Sequence, residues 1–136
     1  VIYMDVKNDL GGGKPTLLIA EDEESNYLLL KTILHKYCNL IRAKTGLEAL
    51  ALFKENEVDL ILMDIKMPVM DGYEATAEIR KVSASVPIIA VTAYAFAQDE
   101  QRIINSGFDA YTAKPINGKI LKDKISTLLT HRIILM

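Results

Sequence analysis

The chain has 136 residues, of which 50% are hydrophobic and 25% charged, and its formal net charge is −2. These values are ordinary for one soluble globular domain and give no reason to expect contact with nucleic acid. One cysteine, Cys38, excludes an internal disulfide and fits a reducing compartment such as the cytoplasm. We interpret Cys38 as a partly buried small apolar residue. The alternative is a catalytic Cys with His35 as its partner, which is disfavoured because both residues are expected near the end of one helix. The sequence contains neither an apolar run of the ~18 residues that a membrane span needs nor a signal-peptide pattern.

The first 14 residues are predicted to precede the folded domain. A run of three glycines, Gly11–Gly13, followed by Lys14 and Pro15, is typical of a flexible linker. Because the chain begins with Val, we expect it to be a segment of a longer protein, with an arm and linker at residues 1–14 and a domain at residues 15–136. Residues 1–10 fit either the tail of a preceding domain or a loosely held arm.

Five short runs of mostly apolar residues alternate with five helical patterns after the linker. The predicted strands are 16–20, 39–43, 60–63 with Asp64 at the end, 87–92 and 109–113. The first helix is predicted from an N-cap at Ser25 to about Tyr37, and the second from a capping box at Thr45 and Glu48. The remaining helices are predicted at 73–81, at 98–106 with Gly107 as the left-handed C-terminal residue, and after a cap at Asn117.

The alternation of strands and helices indicates βαβ units and a parallel sheet. The first, third and fourth strands are apolar throughout, as expected for strands covered on both faces, whereas the second and fifth include polar residues and are expected near the edges. Right-handed crossovers then favour a flavodoxin-like, doubly wound α/β fold: a (βα)5 three-layer sandwich with strand order 2-1-3-4-5.

Acidic residues follow the first and third predicted strands. Glu21 and Asp22 come directly after the first strand, and Asp64 ends the third. In this strand order the carboxyl ends of these strands are adjacent, so the three carboxylates converge and repel one another unless a cation joins them. Oxygen ligands without His or Cys suit Mg²⁺, and the backbone carbonyl just past Asp64, that of Lys66, is a candidate further ligand.

The fourth and fifth strands end in groups that suit a phosphoryl ligand. Thr92 offers a hydroxyl donor and Lys114 a cation. With Mg²⁺ they would neutralise the charge of a transferred phosphoryl group, and a carboxylate such as Asp64 can then act as a nucleophile that forms an acyl phosphate. Each residue alone has a simpler explanation as a cap, turn or solvated loop charge; the combination is much more specific.

Residues 16–130 closely resemble the receiver domain of two-component response regulators. The resemblance is carried by LLIAEDEE at 17–24, LILMDIKMPVMDGYEA at 60–75, PIIAVTAYA at 87–95 and GFDAYTAKPI at 107–116. It implies that Asp64 is the phosphoacceptor and that Asp22 binds Mg²⁺ directly, with Glu21 acting largely through water. The family usually has Asp where this chain has Glu21, which moves that carboxylate outward by one methylene.

The resemblance also implies roles for residues around the phosphate. Thr92 matches the switch hydroxyl, Tyr111 the switch aromatic, and Lys114 the motif lysine, whose bond to Pro115 is expected to be cis. From their places two residues beyond Asp64 and Thr92, Lys66 and Tyr94 are expected to flank the phosphate and tune its hydrolysis. Ala93, next to Thr92, is a further phosphate-flanking candidate.

A receiver is a phosphoacceptor signalling domain rather than a classical enzyme. The resemblance implies a histidine kinase as its partner, in cis or in trans, and a His phosphotransfer protein as a further partner. We expect a hybrid sensor kinase as the parent chain, which would place the domain in the cytoplasmic part of a membrane-bound protein; a free-standing regulator is the alternative. Three other interpretations stay open at this point: a phosphohydrolase of the haloacid dehalogenase type, which would want an Asp at Lys66; a flavodoxin-like nucleotide binder, whose phosphate the acidic run at 21–24 would repel; and a degenerate receiver that only binds partners.

Overall fold

The computed structural model of the protein describes residues 13–93 and 97–135. The five strands are β1 Thr16–Ala20, β2 Asn39–Ala43, β3 Leu60–Asp64, β4 Ile88–Thr92 and β5 Ala110–Ala113. The five helices are α1 Glu24–Leu34, α2 Gly46–Glu55, α3 Gly72–Val82, α4 Ala97–Asn105 and α5 Gly118–Leu135. Residues 1–12, which include most of the predicted arm and linker, lie outside the described residues.

The strands form one parallel sheet in the order β2-β1-β3-β4-β5, as the sequence predicts. Every residue of β3 and β4 is buried, whereas β2 and β5 are partly exposed. The edge positions are therefore occupied by the two strands that carry polar residues, because only an edge leaves part of a strand in contact with water. The register pairs Asp64 with Val91 and Thr92 with Ala113, so the strand ends lie side by side.

Alternate residues of the central strands contribute to two separate hydrophobic cores, one on each face of the sheet. The sheet and the helices on its two faces are the three layers that the sequence predicts. Since successive side chains point to opposite faces, one set packs under α2, α3 and α4 and the other under α1 and α5. The first face buries Leu18, Ala20, Ile61, Met63, Ile88 and Ala90, and the second buries Leu17, Ile19, Leu60, Leu62, Ile89 and Val91. Both cores hold the sheet rigidly beneath the loops at its carboxyl edge.

The helix starts confirm two predicted caps and correct a third. The Thr45 hydroxyl accepts the backbone N–H of Glu48, and the Asn117 side chain accepts that of Ile120. The other half of the predicted capping box differs, because the Glu48 carboxylate accepts the N–H of Lys44 rather than that of Thr45. The prediction of Ser25 as the N-cap of α1 was wrong: the N-cap is Glu23, in extended conformation and without a side-chain cap bond, so Ser25 lies inside the helix. Glu24 in the first turn interacts favourably with the helix dipole, which permits this earlier start.

Two further helix boundaries differ from the sequence prediction. Helix α1 ends at Leu34 rather than near Tyr37, and the chain then turns as Cys38 donates its N–H to the Leu34 carbonyl. Helix α3 begins with a capping box in which Asp71 and Glu74 each accept the other's backbone N–H. The D-x-x-E spacing at residues 71–74 is a recognisable signal for such a cap, which the predicted start at Tyr73 does not take into account. Among the described residues, no helix is long and apolar enough to cross a membrane.

Candidate functional site

Three carboxylates meet at the carboxyl edge of the sheet, as predicted from the strand order. Glu21 and Asp22 follow β1 directly and Asp64 is the last residue of β3. One carboxylate oxygen from each lies within 4.8 Å of the other two. Glu21 and Asp64 are buried, with 1% and 5% of their surface exposed, whereas Asp22 is open to solvent. The cluster therefore combines two buried carboxylates with one that is exposed to solvent.

Lys114, which follows β5, bridges the two buried carboxylates. Its Nζ lies 3.2 Å from Asp64 Oδ2 and 3.2 Å from Glu21 Oε1. Burial by itself lowers the pKa of Lys114, but the two carboxylates outweigh it and hold that pKa above its usual range. The Lys114–Pro115 peptide bond is cis, as expected. The ammonium is thus a fixed cation beside Asp64.

The surroundings of the Glu21 carboxylate stabilise its charged form only in part. Its Oε2 accepts the Glu23 N–H at 3.1 Å. Among the described residues, its buried Oε1 has no hydrogen-bond partner and faces the Lys114 ammonium. Burial, and then the neighbouring charge of Asp64, raise the pKa of Glu21 from 4.5 to about 7. An under-compensated buried oxygen beside two other carboxylates is what a divalent cation would relieve.

The donor set at this edge fits Mg²⁺. All three candidate ligands are carboxylates, and hard oxygen donors without nitrogen or sulfur favour Mg²⁺ over transition metals. The predicted carbonyl ligand from Lys66 lies in the loop directly after Asp64, at the same edge of the sheet. The residues present are therefore compatible with the ion that the sequence predicts.

A cleft of about 130 Å³ opens beside Asp64. It is lined by Glu23, Asp64, Ile65, Lys66, Thr92, Ala93 and Lys114. The backbone N–H of Lys66 donates to Asp64 Oδ1 at 3.2 Å, which leaves this carboxylate held on one side by an amide and on the other by an ammonium. Thr92 is buried and Ala93 exposed. The cleft thus brings together the carboxylate, the hydroxyl and the lysine that the sequence analysis singled out.

Tyr111 does not line this cleft. It lies on β5, partly buried, where a hydrogen bond with the Glu100 carboxylate raises the pKa of its phenol. Lys124 Nζ donates to the Tyr111 carbonyl at 2.7 Å and lies 5.3 Å from the ring centroid. The side chain of Tyr111 therefore lies beside groups on α4 and α5, while it also packs against the core that α2, α3 and α4 cover. Tyr94, the other flanking candidate, lies outside the described residues.

Two residues near the site were missed by the sequence analysis. Arg42 on β2 donates to the main-chain carbonyls of Glu21 and Asp22, and Gly72 packs against the main chain of Asp64. An arginine in a polar edge strand gives no signal of such a contact. The glycine had a signal in the Asp71-Gly72 pair, which is typical of a turn but does not reveal a close contact with Asp64.

Curated relatives with this sequence pattern are two-component proteins. Hybrid signal transduction histidine kinase I of Dictyostelium discoideum is 43% identical and aligns with 82% of this chain, but the chain spans only 7% of that protein's length. Sensor histidine kinase RcsC of Escherichia coli is 35% identical over 86% of this chain and 12% of its own length. Chemotaxis protein CheY of Halobacterium salinarum is 36% identical over 84% of this chain and 96% of its own.

Solved structures share the fold closely. The receiver domain of sensor histidine kinase PA1611 from Pseudomonas aeruginosa, with a magnesium ion coordinated in its active site cleft, has a TM-score of 0.81 at 30% identity and covers 87% of this chain and 99% of its own. A CheY-like receiver domain protein from Methanospirillum hungatei has a TM-score of 0.83 at 31% identity over 90% and 98%. The family model for the response regulator receiver domain matches residues 17–126. The chain belongs to the response regulator receiver domain family of two-component signalling.

Proposed function

We propose that this receiver accepts a phosphoryl group on Asp64 in a reaction that depends on Mg²⁺. One observation carries the proposal: Asp64 lies between a cluster of carboxylates and the Lys114 ammonium, on the wall of a cleft that also contains Thr92. A buried carboxylate that contacts a fixed cation, in a cleft that also contains a hydroxyl donor, is equipped to attack phosphorus.

The donor is the phospho-His of a histidine kinase. Asp64 attacks the phosphorus through a carboxylate oxygen, so an O–P bond forms while the N–P bond breaks. The bonding electron pair returns to the imidazole nitrogen of the donor. Asp22, Asp64 and the Lys66 carbonyl would hold the metal directly and Glu21 largely through water, and Mg²⁺, when bound, would neutralise the phosphoryl charge. The Lys114 ammonium contacts a second phosphoryl oxygen.

The phosphorylated state is read through Thr92 and Tyr111. The Thr92 hydroxyl turns to donate to a phosphate oxygen, and the Tyr111 ring moves into the space that Thr92 leaves. The Tyr111 side chain lies beside Glu100 and Lys124 and does not line the cleft, which supports a starting position outside it. Since these partners lie on α4 and α5, an inward movement of the ring changes the surface formed by β4, β5 and these helices.

Lys66, Ala93 and Tyr94 flank the phosphate and set how fast water removes it. Lys66 and Ala93 line the cleft, which supports this role. We expect the double variant Lys66→Ala with Tyr94→Ala to change the half-life of the phosphorylated domain severalfold, measured by loss of the phosphorylated mass after removal of the donor. An unchanged half-life would refute the tuning role without affecting Asp64.

A histidine kinase, in cis or in trans, supplies the phosphoryl group, and a His phosphotransfer protein receives it where the relay continues. The likeness to receiver segments of hybrid kinases supports a hybrid parent chain, with the domain at residues 15–136 following a linker. In that arrangement the domain lies in the cytoplasm. In either arrangement it acts as a phosphoacceptor that promotes its own phosphorylation and dephosphorylation.

The test is intact mass spectrometry after incubation with Mg²⁺ and acetyl phosphate. We expect a gain of about 80 Da, one phosphoryl group, that is lost in Asp64→Asn and when EDTA replaces Mg²⁺. Asp123→Asn, a half-exposed carboxylate on α5 paired with Lys119, is the matched control and should be phosphorylated like the unaltered protein. Absence of the gain in the unaltered protein, or its persistence in Asp64→Asn, would overturn the proposal.

A further inference from the structure

Arg42 binds the main chain of the turn that carries the acidic pair. From the edge strand β2, its Nε and Nη2 each donate to the Glu21 carbonyl at 3.2 Å, and Nη2 also lies 3.4 Å from the Asp22 carbonyl. These contacts are to backbone oxygens, so the guanidinium acts on the position of the turn rather than on the carboxylates themselves. Only a fork of several donors in one plane can make such a set of bonds from a single side chain.

The guanidinium is itself held in place by α1. Its carbon lies 4.5 Å from the centroid of the Tyr27 ring, and Nη1 pairs with Glu24 at 2.5 Å. The Arg42 side chain is 14% exposed. A planar cation stacked on a ring and paired at its far end loses little freedom when it binds the turn.

The turn needs an anchor because its side chains repel one another. Glu21 and Asp22 each bring a negative charge within 4.8 Å of Asp64. The strand ladder holds one side of the turn through the bond from Glu21 N to the Ala43 carbonyl. Arg42 holds the carbonyl side, and Glu24 and Tyr27 brace it from the helix that follows. Contacts within the protein therefore hold both sides of the turn.

We propose that Arg42 is a positioning residue for the metal site, which holds Glu21 and Asp22 at the distance from Asp64 at which the three carboxylates bind Mg²⁺. The inference rests on the proposed function, since it concerns the same ion. Arg42 touches neither the ion nor the phosphoryl group; it acts through the two residues whose carbonyls it binds. Removal of a residue that hydrogen-bonds to metal ligands, rather than to the metal itself, typically lowers metal affinity by about ten- to a hundredfold.

Charge and position predict opposite signs for the effect of removing Arg42. A cation near three carboxylates lowers their attraction for Mg²⁺, so if Arg42 acted only as a charge its loss would tighten binding. If Arg42 holds the turn, its loss lets the carboxylates move apart and weakens binding. Lys44, exposed and two residues away on the same edge of the sheet, provides a variant that loses the same charge without the carbonyl contacts.

The experiment is a titration of the whole chain with MgCl₂, followed by backbone amide shifts in NMR spectra. We expect Arg42→Gln to raise the Mg²⁺ Kd about tenfold and Arg42→Lys to raise it less, because one ammonium can serve a single carbonyl. Lys44→Gln should leave the Kd unchanged or lower it. Tyr27→Leu, which keeps every donor but loosens the guanidinium, should raise the Kd about two- to threefold.

A second readout separates positioning from damage to the site. At saturating Mg²⁺ the rate of phosphorylation of Arg42→Gln by acetyl phosphate should return to that of the unaltered protein, while at low Mg²⁺ it falls. A Kd in Arg42→Gln equal to or below that of the unaltered protein would overturn the inference. If Arg42→Gln does not fold, Arg42→Lys and Tyr27→Leu carry the same test, and unchanged Kd values in both refute it. Failure of the unaltered protein to bind Mg²⁺ would instead refute the proposed function.

Discussion

Gly72, the first residue of α3, packs against the main chain of Asp64. A β-carbon placed on Gly72 would lie 2.4 Å from the Asp64 carbonyl oxygen and 2.8 Å from the Ile65 Cα. The Gly72 N–H donates to the Ile65 carbonyl at 2.8 Å. The first turn of α3 therefore rests directly on the segment that carries the proposed phosphoacceptor, and no side chain larger than hydrogen fits between them.

We expect Gly72→Ala to destabilise the domain by about 2 kcal/mol and to slow phosphorylation, because the new methyl group displaces the backbone at Asp64. Urea unfolding followed by circular dichroism measures the first effect, and the rate of mass gain with acetyl phosphate the second. Gly118→Ala is the matched control: its β-carbon would meet the Ile33 side chain at an ordinary 3.6 Å. A Gly72→Ala variant as stable and as readily phosphorylated as Gly118→Ala would contradict the packing described.

Arg80 connects the end of α3 to two neighbouring segments, the loop before β4 and the loop before β5. Its guanidinium donates to the carbonyls of Gly107 at 2.9 Å and Val86 at 2.7 Å, and to Asp109 Oδ2 at 2.9 Å. Since charged hydrogen bonds from a mostly buried group are lost together, we expect Arg80→Gln to lower the free energy of unfolding by about 2–3 kcal/mol. Lys81→Gln, which removes an exposed charge next to it, should change that free energy by less than about 0.5 kcal/mol. Equal losses in the two variants would count against the network.

Val69 stores backbone strain on the surface. Its φ is 71°, a left-handed value that β-branched residues avoid, and 80% of its surface is exposed. We expect Val69→Asn to raise the free energy of unfolding by about 1 kcal/mol, because Asn tolerates this conformation and little packing is lost. Urea unfolding provides the measurement, with Val82→Asn on α3 as a control that should show no gain. A loss of stability in Val69→Asn would show that the conformation is not strained.

Burial of Cys38 makes the free energy of unfolding of the domain depend on pH in the alkaline range. Desolvation raises the pKa of its thiol from 9.0 to about 12. Above the unfolded value the unfolded chain releases a proton that the native state retains, so the free energy of unfolding falls as the pH rises from about 9 towards 12, by up to about 1.4 kcal/mol per pH unit. Below about pH 9 this group contributes no slope.

We therefore expect urea midpoints measured between about pH 8 and about pH 10.5 to fall more steeply for the unaltered protein than for Cys38→Ala. The difference in slope, rather than the absolute stability, is the readout, because the alanine also leaves a small cavity. Parallel slopes would mean that the thiol ionises as readily in the native state as in the unfolded one.

The sequence alone determined the layers, the strand order and the types of residue at the site. Continuous apolar runs such as Leu60–Met63 mark strands that are covered on both faces, and the polar residues of the second and fifth strands mark the edges. Because parallel strands end at one edge of a sheet, the placement of Glu21, Asp22 and Asp64 at strand ends already predicted that they would meet. Their meeting in the structure confirms that step; their chemical roles remain predictions.

Only the tertiary structure decided which polar groups form hydrogen bonds and ion pairs with one another. Lys114 and Asp64 are 50 residues apart, and Arg42 reaches a turn 21 residues before it. Patterns of burial repeat locally, every two or about 3.6 residues, so a sequence can encode them within a short segment. A hydrogen bond between a side chain and a distant main chain depends on where the folded elements lie. Nothing near Arg42 in the chain predicts its contacts, and the residues around Gly72 predict a helix start but not the contact with Asp64.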